Sequence, residues 1–67
     1  MMRPRLQYEV FELAKDLNPV IKKGMKGVIL EIYDRDAFEV EFVKGDGTNF
    51  EFEGQFTFTI DNSYIRE

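Results

Sequence analysis

Between Gly27 and Asp61 the chain runs through four consecutive stretches in which apolar and polar side chains alternate. Val28, Leu30 and Ile32 alternate with Glu31 and Tyr33, and Phe38, Val40 and Phe42 with Glu39 and Glu41. Phe50 and Phe52 alternate with Glu51 and Glu53, and Phe56, Phe58 and Ile60 with Thr57 and Thr59. A period of two is the signature of a strand with one dry and one wet face. The β-branched and aromatic residues that fill these stretches are those strands favour. Breaks fall at Asn18-Pro19, Gly24 and Gly27, Gly45-Asp46-Gly47 and Gly54. Asp46-Gly47 predicts a type I′ hairpin turn, because that turn needs positive φ at both central residues. A hairpin there pairs 38–42 with 50–53 and brings Glu39, Glu41, Glu51 and Glu53 together on the wet face.

This pattern predicts an all-β chain whose core contains Val28, Leu30, Ile32, Phe38, Val40, Phe42, Phe50, Phe58 and Ile60. Sixty-seven residues suffice for one domain, spanning 1–67, with residues 1–6 as a flexible N-terminal arm. A chain this short buries only about 60% of its unfolded surface and needs either a dense core or a staple. With no Cys and no His, neither a disulfide nor a Cys/His zinc site is open to it. Seven Phe and three Tyr supply the core instead.

Two segments fit the pattern less cleanly. In residues 6–17, Leu6, Val10, Leu13 and Leu17 share one helical face, so periodicity alone favours a helix slightly over a strand. At the other end, Asp61, Asn62 and Ser63 are capping residues ahead of a short 3₁₀ turn, after which Tyr64 and Ile65 fold back as a lid.

Charge is unevenly divided. Residues 1–30 hold six basic and three acidic side chains (+3) and residues 31–67 three basic and ten acidic (−7), giving the net −4. An acidic balance works against non-specific phosphate binding, which rests on Lys and Arg. No apolar run is long enough to cross a bilayer. Charge at the N-terminus without a following apolar stretch is unlike a signal peptide, so a cytoplasmic location is expected.

The string "YEVFELAKDL…IKKGMKGVILEIYDRDAFEVEFVKGDGT" resembles a small bacterial family of unknown function, DUF4926. The matching residues are Tyr8–Leu17, Lys22–Ile29, Phe38–Phe42 and Asp46–Thr48, about two-thirds of the chain, with "FEVEF" and "GDGT" the most specific. The family pattern closes with L-x-P-x-x-L; this chain departs from it after Thr48 with the longer "NFEFEGQFTFTIDNSYI". The resemblance implies an SH3-like, partly open barrel of about five antiparallel strands, with a Gly-x-x-Gly-x-Val turn similar to that of KOW-type modules. It turns residues 7–13 from helix to strand and gives Gly24 and Gly27 a backbone role, alongside the one that the Asp46-Gly47 turn already gives Gly47.

For function, catalysis finds little footing. His, Cys and Trp are absent, Ser63 is the lone serine, and no neighbouring group activates it. No catalytic residue, metal site or cofactor is expected. The acidic strand face (Glu39, Glu41, Glu51, Glu53, with Tyr33) points to a protein partner of opposite charge. Family members resemble stand-alone genes that sit beside toxin-like genes, which implies an antitoxin- or immunity-like role. The alternative is an RNA- or ribosome-associated module using Arg3, Arg5, Lys22, Lys23 and Lys26, with Tyr8 and Phe11 close by in sequence. A sequence pI of 4.7 disfavours it. The bland reading of the charged face is solvated surface. Oligomeric state is left open.

Overall fold

The computed structural model describes residues 4–66. Strands β1 (Val10–Glu12), β2 (Lys26–Asp34), β3 (Ala37–Phe42) and β4 (Thr57–Ile60) form one antiparallel sheet in chain order. A 3₁₀ turn, Asn62–Tyr64, follows. Asp61 caps it, its Oδ1 accepting from the Ser63 amide and hydroxyl. Those bonds, the hydroxyl's first, hold the Asp61 carboxyl below the usual range. The chain then returns along β1. Leu13 bridges Ile65, the Ala14 amide donates to Tyr64 (2.7 Å), and the Arg66 amide donates to Glu12 (2.9 Å). The all-β expectation holds, and the layout is consistent with a small SH3-like fold. The fifth strand is reduced to this bridge, and the sheet stays open on the β4 side.

Residues 10–12 are strand and not helix. Leu6 and Val10 are exposed, whereas Phe11 and Leu13 point into the core, a period of two. The helical spacing of Leu6, Val10, Leu13 and Leu17 is outweighed by backbone pairing on both sides of the segment. In the loop that follows, the Asn18 side chain accepts from the amides of Val20 (2.9 Å) and Ile21 (2.8 Å), fixing the Asn18-Pro19 turn. That turn delivers Ile21, which is completely buried.

The core consists of Phe11, Leu13, Ile21, Ile29, Phe38, Val40, Phe42, Phe58, Ile60 and Ile65, with Leu17, Met25, Phe50, Phe52 and Tyr64 packed against it. Strands β3 and β4 have the expected inside and outside. Strand β2 does not. Ile29 is its fully buried residue, Val28 and Leu30 are half-buried, and Ile32 is 39% exposed. Gly27 and Ile29 pair with the inward Phe42 and Val40, so Val28 faces outward from the start; beyond them Glu31 pairs with Glu39, which leaves Leu30 as an extra, bulged residue. A one-residue shift exchanges the two faces of a strand. Past the bulge Ile32 pairs with Phe38 but sits at the open end of the sheet.

The second departure is the connection Val43–Phe56. Residues 50–53 do not form a strand along β3; isolated bridges Val43–Asn49 and Phe52–Gln55 take its place. At Gly45-Asp46-Gly47 the Gly47 amide bonds to Lys44 and the Lys44 amide to Thr48. Only Gly47 has positive φ (90°), so the turn is a three-residue loop and not type I′. Positive φ at two successive central residues occurs instead at Glu53 (50°) and Gly54 (80°), flanked by reciprocal bonds between Phe52 and Gln55. Phe50 and Phe52 end half-buried, and Phe56 is 51% exposed.

Gly27 also has a different reason from the one expected. Its φ is not positive; it pairs with Phe11 and Phe42 on the inner face. A Cβ there would lie 2.6 Å from Cζ of Phe11 and 2.9 Å from Cε1 of Phe42. The missing side chain lets the two rings meet edge to face, 5.8 Å between centroids.

Candidate functional site: the outer face of the sheet

Cross-strand pairing lays the outward residues in rows. One row crosses the whole sheet: Val10, Val28, Glu41, Thr57. The next is Glu31, Glu39, Thr59. Below them Glu12 pairs with Lys26, whose Nζ lies 3.3 Å from Glu12 Oε1, and Arg66 Nη1 reaches Glu12 Oε2 at 3.2 Å. One end of the face is thus charge-balanced. The other is acidic, with Glu31 directly opposite Glu39.

Neither carboxylate of β3 hangs free. Thr57 Oγ1 donates to Glu39 Oε2 (3.2 Å) and Asn49 Nδ2 to Glu41 Oε1 (2.9 Å). Tyr33 belongs to the same group. Desolvation, then the Glu39 carboxylate and after it Glu31, raise its phenol above the ordinary tyrosine value. The bulge that displaced Leu30 is what lets Glu31 face Glu39.

The four-carboxylate cluster expected from the sequence is only half assembled. Glu39 and Glu41 share the face, but Thr59 and Thr57 stand opposite them. Glu51 and Glu53 lie exposed on the 43–56 connection, Glu53 inside its turn. Lys44 sits over the Phe50 ring, 5.3 Å from its centroid. Glu31 replaces the missing pair. Alternation already sets Glu31 on the wet face; its place directly opposite Glu39 comes from the bulge, which the spacing does not show.

The basic residues of the nucleic-acid alternative are scattered. Arg3 lies outside the described residues. Arg5 is not on a free arm: it is 7% exposed, its Nε donates to Asn62 Oδ1 (3.1 Å), and Nη1 lies 3.9 Å from Glu9 Oε2. Asn62 in turn donates to the Arg35 carbonyl (2.7 Å) and to Asp36 Oδ1 (3.0 Å), tying the N-terminal segment to the β2–β3 turn. Nothing in the sequence marked this buried network, since Arg and Asn are ordinarily surface residues. Lys22 pairs with Asp16 (3.6 Å) and Lys26 with Glu12. The Lys23 amide donates to Asp16 (2.8 Å), and this bond, with Lys22 nearby, lowers the Asp16 pKa. Among the described residues no three His, Cys, Asp or Glu side chains are grouped to hold a metal ion, and no helix is long and apolar enough to cross a membrane.

Sheet and face together define a small all-β domain with one packed and one open, partly acidic side. The chain belongs to the family described as Domain of unknown function (DUF4926), whose model matches residues 7–54. The match ends just before β4, so β4 and the 3₁₀ turn lie beyond it. Neither the curated proteins nor the solved structures contain a significant match to the chain.

Proposed function

We propose that this chain is a non-catalytic protein-interaction module whose outer sheet face docks a basic partner protein, in an antitoxin- or immunity-like role. The observation that carries the reading is the direct opposition of Glu31 and Glu39 on an open face, with Tyr33 beside them. Like charges opposite each other destabilise a sheet. Departures from local consistency of this kind concentrate where a surface serves binding. A basic partner relieves the repulsion, and complementary potentials speed encounter. The nucleic-acid alternative draws less support, because Lys22 and Lys26 face acidic partners and Arg5 is buried.

The test is affinity capture from the native host with tagged parent chain and with Glu31→Gln/Glu39→Gln. The expected result is a basic protein held by the parent at low salt, released as salt rises, and not held by the variant. Its co-expression with the parent should relieve any growth arrest that the partner causes alone. Capture of RNA, or of the same protein equally by both chains, would overturn the reading.

A further inference from the structure

The sheet has two unequal edges. On one side β1 is covered by Tyr64–Arg66. On the other, β4 pairs with β3, and no described residue hydrogen-bonds the side of its backbone facing away. Alternate N–H and C=O groups of such an edge are open to another strand, and natural edges are usually blunted by charge, Pro or a bulge. Every other strand carries charge: Glu12 in β1, Lys26 and Glu31 in β2, Glu39 and Glu41 in β3. Gln55–Ile60 holds no charged residue, no Pro and no Gly, in a chain that is 33% charged.

Beside this edge lies a groove lined by Glu39, Gln55, Phe56, Thr57 and Thr59. Glu39 enters it because its carboxylate leans across β4 to the Thr57 hydroxyl, diagonally from its direct neighbour Thr59. The groove therefore has an acidic wall and an exposed aromatic at its mouth.

We propose that the free edge of β4 receives an extended basic segment of the partner, which joins the sheet as an added strand and lays a Lys or Arg side chain in the groove against Glu39. This deepens, and rests on, the reading of the outer face as a docking surface for a basic protein. An added strand lies about 4.8 Å from β4, with alternate side chains on the side of Thr57 and Thr59. From there a long basic side chain can run its methylene stem over the threonines and place its charge at the leaning carboxylate. The intervening residues turn inward beside Phe58. The expected partner segment alternates basic and apolar residues. Charge selects it over a second copy of this chain. Antiparallel pairing of two β4 edges keeps both outer faces on one side and sets one acidic groove next to the other.

The probe is a capped hexapeptide of alternating Lys and Val, with two versions N-methylated at alternate residues to block one or the other hydrogen-bonding edge. Binding to the whole chain is followed by amide NMR at low salt. The expected result is that the unmodified peptide shifts and protects Thr57–Ile60 amides. At least one methylated version, equal in charge, should bind about tenfold more weakly, as loss of one or two bonds implies. Thr59→Lys, an exposed change that adds charge to the edge, should weaken the unmodified peptide without unfolding the chain. Equal binding of all three peptides, lost in Glu31→Gln/Glu39→Gln, would overturn strand addition while leaving the acidic docking face standing. No binding of any peptide would remove both. Concentration-dependent self-association through the same amides would give the edge to a second copy and overturn the proposal.

Discussion

The two faces of β3 are held by different kinds of force. Inward, Phe38, Val40 and Phe42 are essentially without solvent exposure and meet rings and aliphatic groups from the other three strands. Outward, Glu39 and Glu41 are half-buried and held by one hydrogen bond each from Thr57 and Asn49. On the inside, shape dictates the residue, to the point that Gly27 has to lack a side chain. On the outside, a repulsive pair is tolerated opposite a strand bulge. The comparison teaches that in this small domain stability is concentrated on one side of the strands, and the other side is free to be chosen for contact.

The largest break of that contrast is expected at Phe42. Its ring packs against Phe11 and lies 6.0 Å, centroid to centroid, from Phe58. Phe42→Ala should cost about 3–5 kcal/mol, which for a domain this size means largely unfolded at room temperature. Circular dichroism and a denaturant titration check it; near-native melting would show that the inner face does not carry the stability assigned to it.

Gly27 comes next. An added methyl would meet two rings at under 3.0 Å, and overpacking of this kind costs about 1–3 kcal/mol. Gly27→Ala should therefore lower the melting temperature clearly, and trimming the opposing ring with Phe11→Leu in the same chain should recover part of the loss. A backbone role predicts no such recovery. The pair of variants thus separates steric from conformational demand at a position where the sequence suggests the second. Gly47 is the counter-case, with positive φ and open space around it.

What could be read from the sequence divides along the same line. The alternation of Phe38–Phe42 and Phe58–Ile60 gave their inward faces correctly, because both stretches keep an unbroken register. In β2 the same rule failed at Val28, which faces outward with Glu41 beside the buried Ile29, and again at Leu30. Leu30 is extra, and alternation contains no term for a bulge. Residues 50–53 failed for another reason. The rule sees apolar spacing but not chain direction, and two left-handed residues at Glu53 and Gly54 turn the segment back on itself. On the candidate site, Glu39, Glu41 and Tyr33 were legible as outward residues. Glu31 opposite Glu39 was not, since that pairing follows from the bulge. The burial of Arg5 depends on Asn62, 57 positions away, a contact no local pattern reports.

The smallest effect sharpens the outer half of the comparison, and it needs only Glu39→Gln. Removing one of two opposed charges should leave the fold intact and hold or slightly raise the melting temperature at low salt. The gain should be within about 1 kcal/mol, the scale of cross-strand pairs, offset in part because the Thr57 hydroxyl then donates to a neutral amide oxygen. Salt should shrink the difference between parent and variant, since it screens the repulsion in the parent. Tyr33 gives an independent reading of the same contact. Its phenol is raised first by desolvation and next by Glu39, and a neighbouring negative charge disfavours the phenolate. In Glu39→Gln the Tyr33 titration, followed by absorbance with Tyr8 and Tyr64 replaced by Phe in both chains, should move down toward the ordinary value. It should not reach it, because desolvation and Glu31 remain. A downward shift without loss of stability is what an outer face selected for its charge requires. A marked loss of stability would mean that Glu39 is a structural acceptor whose bond to Thr57 holds β4 in place. The outer face would then be part of the framework, and the division between the two sides of β3 would fail.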